Sequence, residues 1–67
     1  MEETTRDAFG VDEFAARNGL SRGTVYNLWL RGEGPRYMQV GKRRLISREA
    51  AAEWRSRMEH RAEQHAA

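Results

Sequence analysis

The chain of 67 residues contains no cysteine, which excludes a disulfide framework and any thiolate metal site. It has one proline, Pro35, and only two Trp, two Tyr and two Phe. With no covalent staple and so few large apolar side chains, stability rests on one small core. The margin for a domain of this size is a few kcal/mol. No apolar run approaches the length of a membrane span, and the acidic start Met1-Glu2-Glu3 is unlike a signal peptide. No internal repeat or low-complexity block is present. The expectation is a soluble protein of the cytoplasm without membrane contact.

Chemistry is scarce as well. A core this small leaves no room for a deep substrate pocket. No nucleophile stands with a plausible base, and there is no glycine-rich phosphate loop. His60 and His65 are five apart, so a helix does not put both on one metal-binding face. The chain is therefore expected not to be an enzyme and to carry no cofactor or metal. Trp29 and Trp54 each fall on an apolar helical stripe, where core packing is a better account than base stacking.

What the chain has in abundance is charge, and it is unevenly placed. Residues 1–21 carry Glu2, Glu3, Asp7, Asp12 and Glu13 against Arg6 and Arg17, a net −3. Residues 22–48 carry Arg22, Arg31, Arg36, Lys42, Arg43, Arg44 and Arg48 against Glu33 alone, a net +6. Residues 49–67 return to a net −1. One dense cationic segment in a small domain is the electrostatic footprint of a nucleic-acid binder.

Periodicity divides the chain into a loose arm over 1–8, a folded domain over 9–60 and a fraying tail over 61–67. From Phe9, the residues Val11, Phe14, Ala15 and Asn18 recur at helical spacing, and Gly19 ends that run. Ser21 is a ready N-cap for a second helix with Val25, Leu28 and Trp29 on one face. That helix should stop near Gly32, at the breaker Gly32-Glu33-Gly34-Pro35. Residues 36–40 and 43–46, separated by Gly41-Lys42, read as a β-hairpin. Ser47 then caps a third helix with the stripe Ala50, Ala51, Trp54 and Met58. The fold class is α+β, mainly α: a helix-turn-helix, a β-hairpin and a third helix.

In a helix-turn-helix the second helix reads DNA. With Val25 turned inward, Gly23 and Asn27 point most directly outward, flanked by Thr24, Tyr26, Leu30 and Arg31. Asn27 suits bidentate contact with adenine, and Arg22 suits phosphate or guanine. The hydroxyls of Ser21, Thr24 and Tyr26 suit phosphate oxygens. Ser21 is a helix cap in any case. Thr24 can equally bond within its own turn, and Tyr26 can equally lie across the core edge. Gly23 weakens its helix by about 1 kcal/mol relative to Ala, for which close approach of DNA is one explanation. Leu30 falls on the exposed side, so it either packs under the hairpin or contacts a partner chain; in so small a domain the first is the expectation. Lys42, Arg43 and Arg44 stand at the hairpin tip, placed for phosphates beside the major-groove contact. Alternation puts Arg44 on the face of Ile46, so Lys42 and Arg43 are the firmer DNA contacts.

These segments carry a resemblance. Phe9–Ala15, Gly19–Tyr26, Gly34–Tyr37, Val40–Arg44 and Arg48-Glu49 through Trp54 resemble the excisionase-type, MerR-like winged helix-turn-helix proteins of phages and bacterial mobile elements. The resemblance implies that the second helix enters the major groove and the hairpin wing meets adjacent backbone or minor groove. It implies DNA contacts at Ser21, Arg22, Gly23, Thr24, Tyr26, Asn27, Lys42, Arg43 and Arg44. Arg31 and Arg36, from the basic segment, are further candidates. Many relatives have a basic or larger polar residue where Gly23 and Asn27 stand, so the preferred sequence should differ. The implied partners are double-stranded DNA, an integrase or other DNA-bound protein, and further copies binding cooperatively. The end at Ala67 fits the minimal type, without the dimerisation helix of larger regulators. The roles implied are recombination directionality or phage-type transcriptional regulation. A protein-interaction module docking an integrase or repressor is the alternative.

Overall fold

The computed structural model describes residues 7–65. In chain order they form β1 (Ala8–Gly10), α1 (Val11–Arg17), α2 (Arg22–Leu30), β2 (Met38–Val40), β3 (Arg43–Ser47) and α3 (Arg48–His65). Three helices and one antiparallel sheet of order β1-β3-β2 make a mainly helical winged helix-turn-helix.

Local chemistry accounts for most boundaries. Both short helices close with a left-handed glycine and a backbone bond that wraps the last turn. At Gly19 (φ 70°) the Leu20 amide donates to the Ala15 carbonyl at 2.8 Å. At Gly32 (φ 74°) the Glu33 amide donates to the Leu28 carbonyl, also at 2.8 Å. Ser21 Oγ accepts from the Thr24 amide at 3.1 Å and Ser47 Oγ from the Ala50 amide at 2.9 Å, so both serines cap as expected. No side chain caps α1, but Asp12 and Glu13 occupy its first turn and favour the positive helix end.

The strands differ from expectation at two places. Only residues 38–40 of the segment 36–40 pair with β3. Arg36 is drawn to Glu53 of α3 and Tyr37 to Trp29 of α2. Ala8, assigned to the arm, joins Phe9 and Gly10 of the folded domain in β1, a strand not expected from the sequence, with Phe9 opposite Ile46. Three residues carry too little alternation to announce a strand. The pairing is set by burial of Phe9 and Ile46 and by the Arg48 amide donating to Asp7 O at 2.9 Å. Residues 1–6 of the expected arm lie outside the described residues.

The core lies where α1, α2 and α3 meet the sheet. Phe14, Val25 and Ile46 are completely buried, and Ala15, Ala50 and Ala51 let backbones approach closely. Trp54 meets Phe14 edge-on at 5.3 Å and donates its indole N–H to the Glu33 carbonyl at 2.9 Å. Met58 closes the stripe, half-buried. Helix α3 extends through His65, so residues 61–65 of the expected tail are helical. Arg61 pairs with Glu33 at 3.1 Å, and Gln64 meets His60 at 3.2 Å one turn away. Residues 66 and 67 of the expected tail are outside the described residues.

The breaker between α2 and β2 is held by three side-chain donors. Trp29 Nε1 donates to Pro35 O at 2.7 Å, Trp54 Nε1 to Glu33 O, and Arg57 Nη2 to Gly34 O at 3.1 Å. A Cβ on Gly34 would run into the Trp29 indole, so the close approach needs glycine. The second helix and the hairpin are thereby fixed relative to each other.

Candidate nucleic-acid interface

The face of α2 opposite Val25 and Leu28 is open. Arg22, Gly23, Thr24, Asn27 and Leu30 are all exposed on it. Asn27 has no side-chain hydrogen bond among the described residues, so its amide is free for a base edge. A Cβ on Gly23 would meet nothing nearer than Ser21 Oγ at 4.0 Å, so no protein neighbour accounts for the glycine. The Ser21 and Thr24 hydroxyls stand 2.9 Å apart and bond each other. Leu30 does not pack under the hairpin: 84 % of it is exposed. The place it was expected to fill is taken by Trp29 and the side chains stacked on it.

Beside this face an open cleft of about 390 Å³ separates the start of α1, the first turns of α2 and the hairpin tip. Arg22, Lys42, Arg43, Arg44 and Tyr26 line it, with Gly10, Asp12 and Glu13 on the α1 side. Arg22 Nη1 donates to Asp12 Oδ1 at 2.7 Å, and its guanidinium lies 5.2 Å over the Tyr26 ring. The hydrogen bond to Asp12 and its negative charge hold the Arg22 pKa above its ordinary value. Arg43 reaches back along the sheet toward Gly10, where a Cβ would stand 3.3 Å from its Nη2. Lys42 and Arg43 are in no ion pair among the described residues.

Arg31 and Arg36 of the basic segment face elsewhere, and Arg44 lines the cleft with its guanidinium held against aromatic rings. Arg31 Nε meets Glu33 at 3.5 Å, and Arg36 Nε donates to Glu53 at 2.7 Å, away from the cleft. Arg44 lies among three rings, 4.7 Å from the Tyr37 centroid, 4.8 Å from Trp29 and 5.2 Å from Tyr26. The rings also meet one another, Tyr26 edge-on to Trp29 at 5.2 Å and Trp29 tilted on Tyr37 at 4.8 Å. Arg44 therefore clamps the hairpin to α2, consistent with its sharing a sheet face with Ile46. Tyr26 serves this clamp and the cleft wall together.

A family model, the helix-turn-helix domain, matches residues 8–58, from β1 to Met58 in α3. The chain belongs to the helix-turn-helix family. Its likeness is to the excisionase-like members, as the sequence resemblance implied. This chain thus carries a DNA-binding helix-turn-helix domain, of which α2 is the second helix. No curated protein matches the chain. Among the described residues no helix is long and apolar enough to cross a membrane, and no His, Cys, Asp or Glu cluster could hold a metal.

Sequence reasoning missed two features of this interface. The Asp12–Arg22 pair joins residues ten apart in different helices, and no local spacing rule signals it. Leu30 was visible on the outward side of the helical wheel, and that signal was outweighed by the small domain's need for core.

Proposed function

We propose that this helix-turn-helix protein is a sequence-specific double-stranded DNA-binding protein, not an enzyme, acting on DNA in the bacterial cytoplasm. Its role is that of an excisionase (a recombination directionality factor) or a small phage-type transcriptional regulator. The observation that carries this reading is the cleft, where the start of α2 and the unpaired Lys42 and Arg43 of the wing converge on one groove. A duplex with α2 in its major groove brings its adjacent backbone to that cleft. The bond donors free to read bases are Asn27 and, once released from Asp12, Arg22.

The test is selection of bound duplexes from randomised DNA, then hydroxyl-radical footprinting on the winners. A short protected patch with one flanking backbone segment supports the reading, and absence of any enriched sequence refutes sequence specificity. Excisive recombination assayed with a neighbouring integrase, against reporter repression at the selected site, separates the two roles.

A second feature supports docking of a protein neighbour on DNA. A groove of about 340 Å³ is lined by Arg17, Asn18, Arg48 and Arg55, between the end of α1 and α3. Arg48 and Arg55 are in no ion pair among the described residues, which suits an acidic segment of an integrase or repressor. Capture of such a partner that survives nuclease and is lost on Arg48→Glu with Arg55→Glu supports this docking. Cooperative binding of further copies is assayed on the same selected sites, as a Hill coefficient above one on tandem copies.

A further inference from the structure

Leu30 is the last residue of α2, and its 84 % exposure exceeds that of Val40, Met38 and Tyr37, the other exposed large apolar side chains. A single exposed leucine on a protein surface is ordinary. Its place is not. Leu30 follows Asn27 by three residues and Gly23 by seven, so at 3.6 residues per turn all three share one face of the helix. Its neighbours in sequence are accounted for: Trp29 turns inward to bond Pro35 O, and Arg31 turns back to Glu33. Leu30 projects outward from this end of α2, largely uncovered by the described residues.

The major groove presents donors and acceptors at every base pair but only one apolar group, the C5 methyl of thymine. We propose that Leu30 is a specificity-determining residue that reads a thymine methyl. This inference rests on the reading of α2 as the DNA-reading helix. A rise of 1.5 Å per residue sets Leu30 about 4.5 Å beyond Asn27 along the helix axis, close to the ~3.4 Å step between base pairs. With α2 lying along the groove, Asn27 and Leu30 address neighbouring pairs. The selected site then holds an adenine met by Asn27 next to a pair whose thymine methyl meets Leu30. Gly23, on the same face with no side chain, lets the start of the helix come close enough for both to reach.

The experiment replaces each thymine of the selected duplex singly by deoxyuridine, which removes only the methyl group, and measures binding by fluorescence anisotropy. Wild-type protein should lose about fourfold in affinity at one thymine beside the adenine, as expected for one methyl withdrawn from apolar contact. Leu30→Ser should bind thymine and deoxyuridine alike at that position, with its salt dependence unchanged. Leu30→Met should restore the discrimination. Because Leu30 touches none of the core, these variants fold as the wild type does, checked by thermal melting. A wild type indifferent to every deoxyuridine overturns the proposal, as does a Leu30→Ser protein that keeps the same sensitive thymine. Loss of partner capture in Leu30→Ser with an unchanged deoxyuridine profile assigns the leucine to protein docking and overturns it too. A wild type that binds no duplex at all is a separate result, and it overturns the reading of α2 itself.

Discussion

Asp12 Oδ1 stands 2.7 Å from Arg22 Nη1, so the first cation of the recognition helix is already paired with a carboxylate from α1. On the proposed DNA-binding reading, the carboxylate competes with a phosphate for Arg22. Removing it with Asp12→Asn should free Arg22 and raise affinity for specific and scrambled duplexes alike. The salt slope of binding should steepen by about one, the count of one added phosphate contact. Stability should fall little, because the pair is exposed to solvent and screened by it. Anisotropy titrations on both duplexes decide this; unchanged binding would mean that Arg22 never reaches a phosphate.

Arg44 should behave differently from its neighbours at the wing. Its cation lies against Tyr26, Trp29 and Tyr37, so Arg44→Met should cost about 1–2 kcal/mol of stability, read as a lower melting temperature. DNA binding should weaken because the wing loses its angle to α2, while the salt slope stays at the wild-type value. A slope reduced by about one would instead assign Arg44 to a phosphate.

Gly23→Ala should separate stability from function. The added methyl meets nothing nearer than Ser21 Oγ at 4.0 Å, so the helix should gain about 1 kcal/mol and the melting temperature rise by several degrees. Affinity for DNA should nevertheless fall, because the methyl stands where the duplex approaches. A variant that is both more stable and equally tight would remove the case for close approach.

Glu33 and Glu53 should contribute to the acid limb of stability. A hydrogen bond from Arg61 holds the Glu33 carboxyl below the ordinary 4.5, and one from Arg36 does the same for Glu53. The unfolded chain therefore binds protons more readily, and the stabilisation is fully present above about pH 5. It is lost as pH falls through the lowered folded values. Urea midpoints between pH 6 and pH 3 should decline, and the double variant Glu33→Gln, Glu53→Gln should be less stable at pH 6 with a flatter acid limb. An identical pH profile in that variant would exclude these pairs as its source.

Much of this molecule was legible from short-range chemistry. Ser21 and Ser47 cap, Gly19 and Gly32 close helices, and Gly41-Lys42 turns the hairpin, because each effect acts within a few residues. The stripe through Ala50, Ala51 and Trp54 followed from periodicity alone. β1 was not legible, since a three-residue strand exists only through its partner β3. At the interface, the outward face of α2 and the free cations at Lys42 and Arg43 could be read from spacing. The partners of Arg22, Arg36 and Arg44 could not, since Asp12, Glu53 and the ring cluster are brought to them by tertiary packing. Formal charge thus overstates the cations available to DNA, because the fold engages Arg31 and Arg36 with carboxylates and Arg44 with rings.

That difference is measurable. Seven cations in the basic segment predict about six phosphate contacts and a slope of log affinity against log salt near −5. The structure leaves Lys42 and Arg43 unpaired beside the cleft, with Arg22 exchangeable from Asp12. About three contacts and a slope near −3 are therefore expected for wild type on its selected site. Lys42→Ala and Arg43→Ala should each bring the slope about one unit nearer zero. A flat salt response, or a slope near −5 untouched by those two substitutions, would contradict the central claim that α2 and the wing tip grip DNA through this cleft.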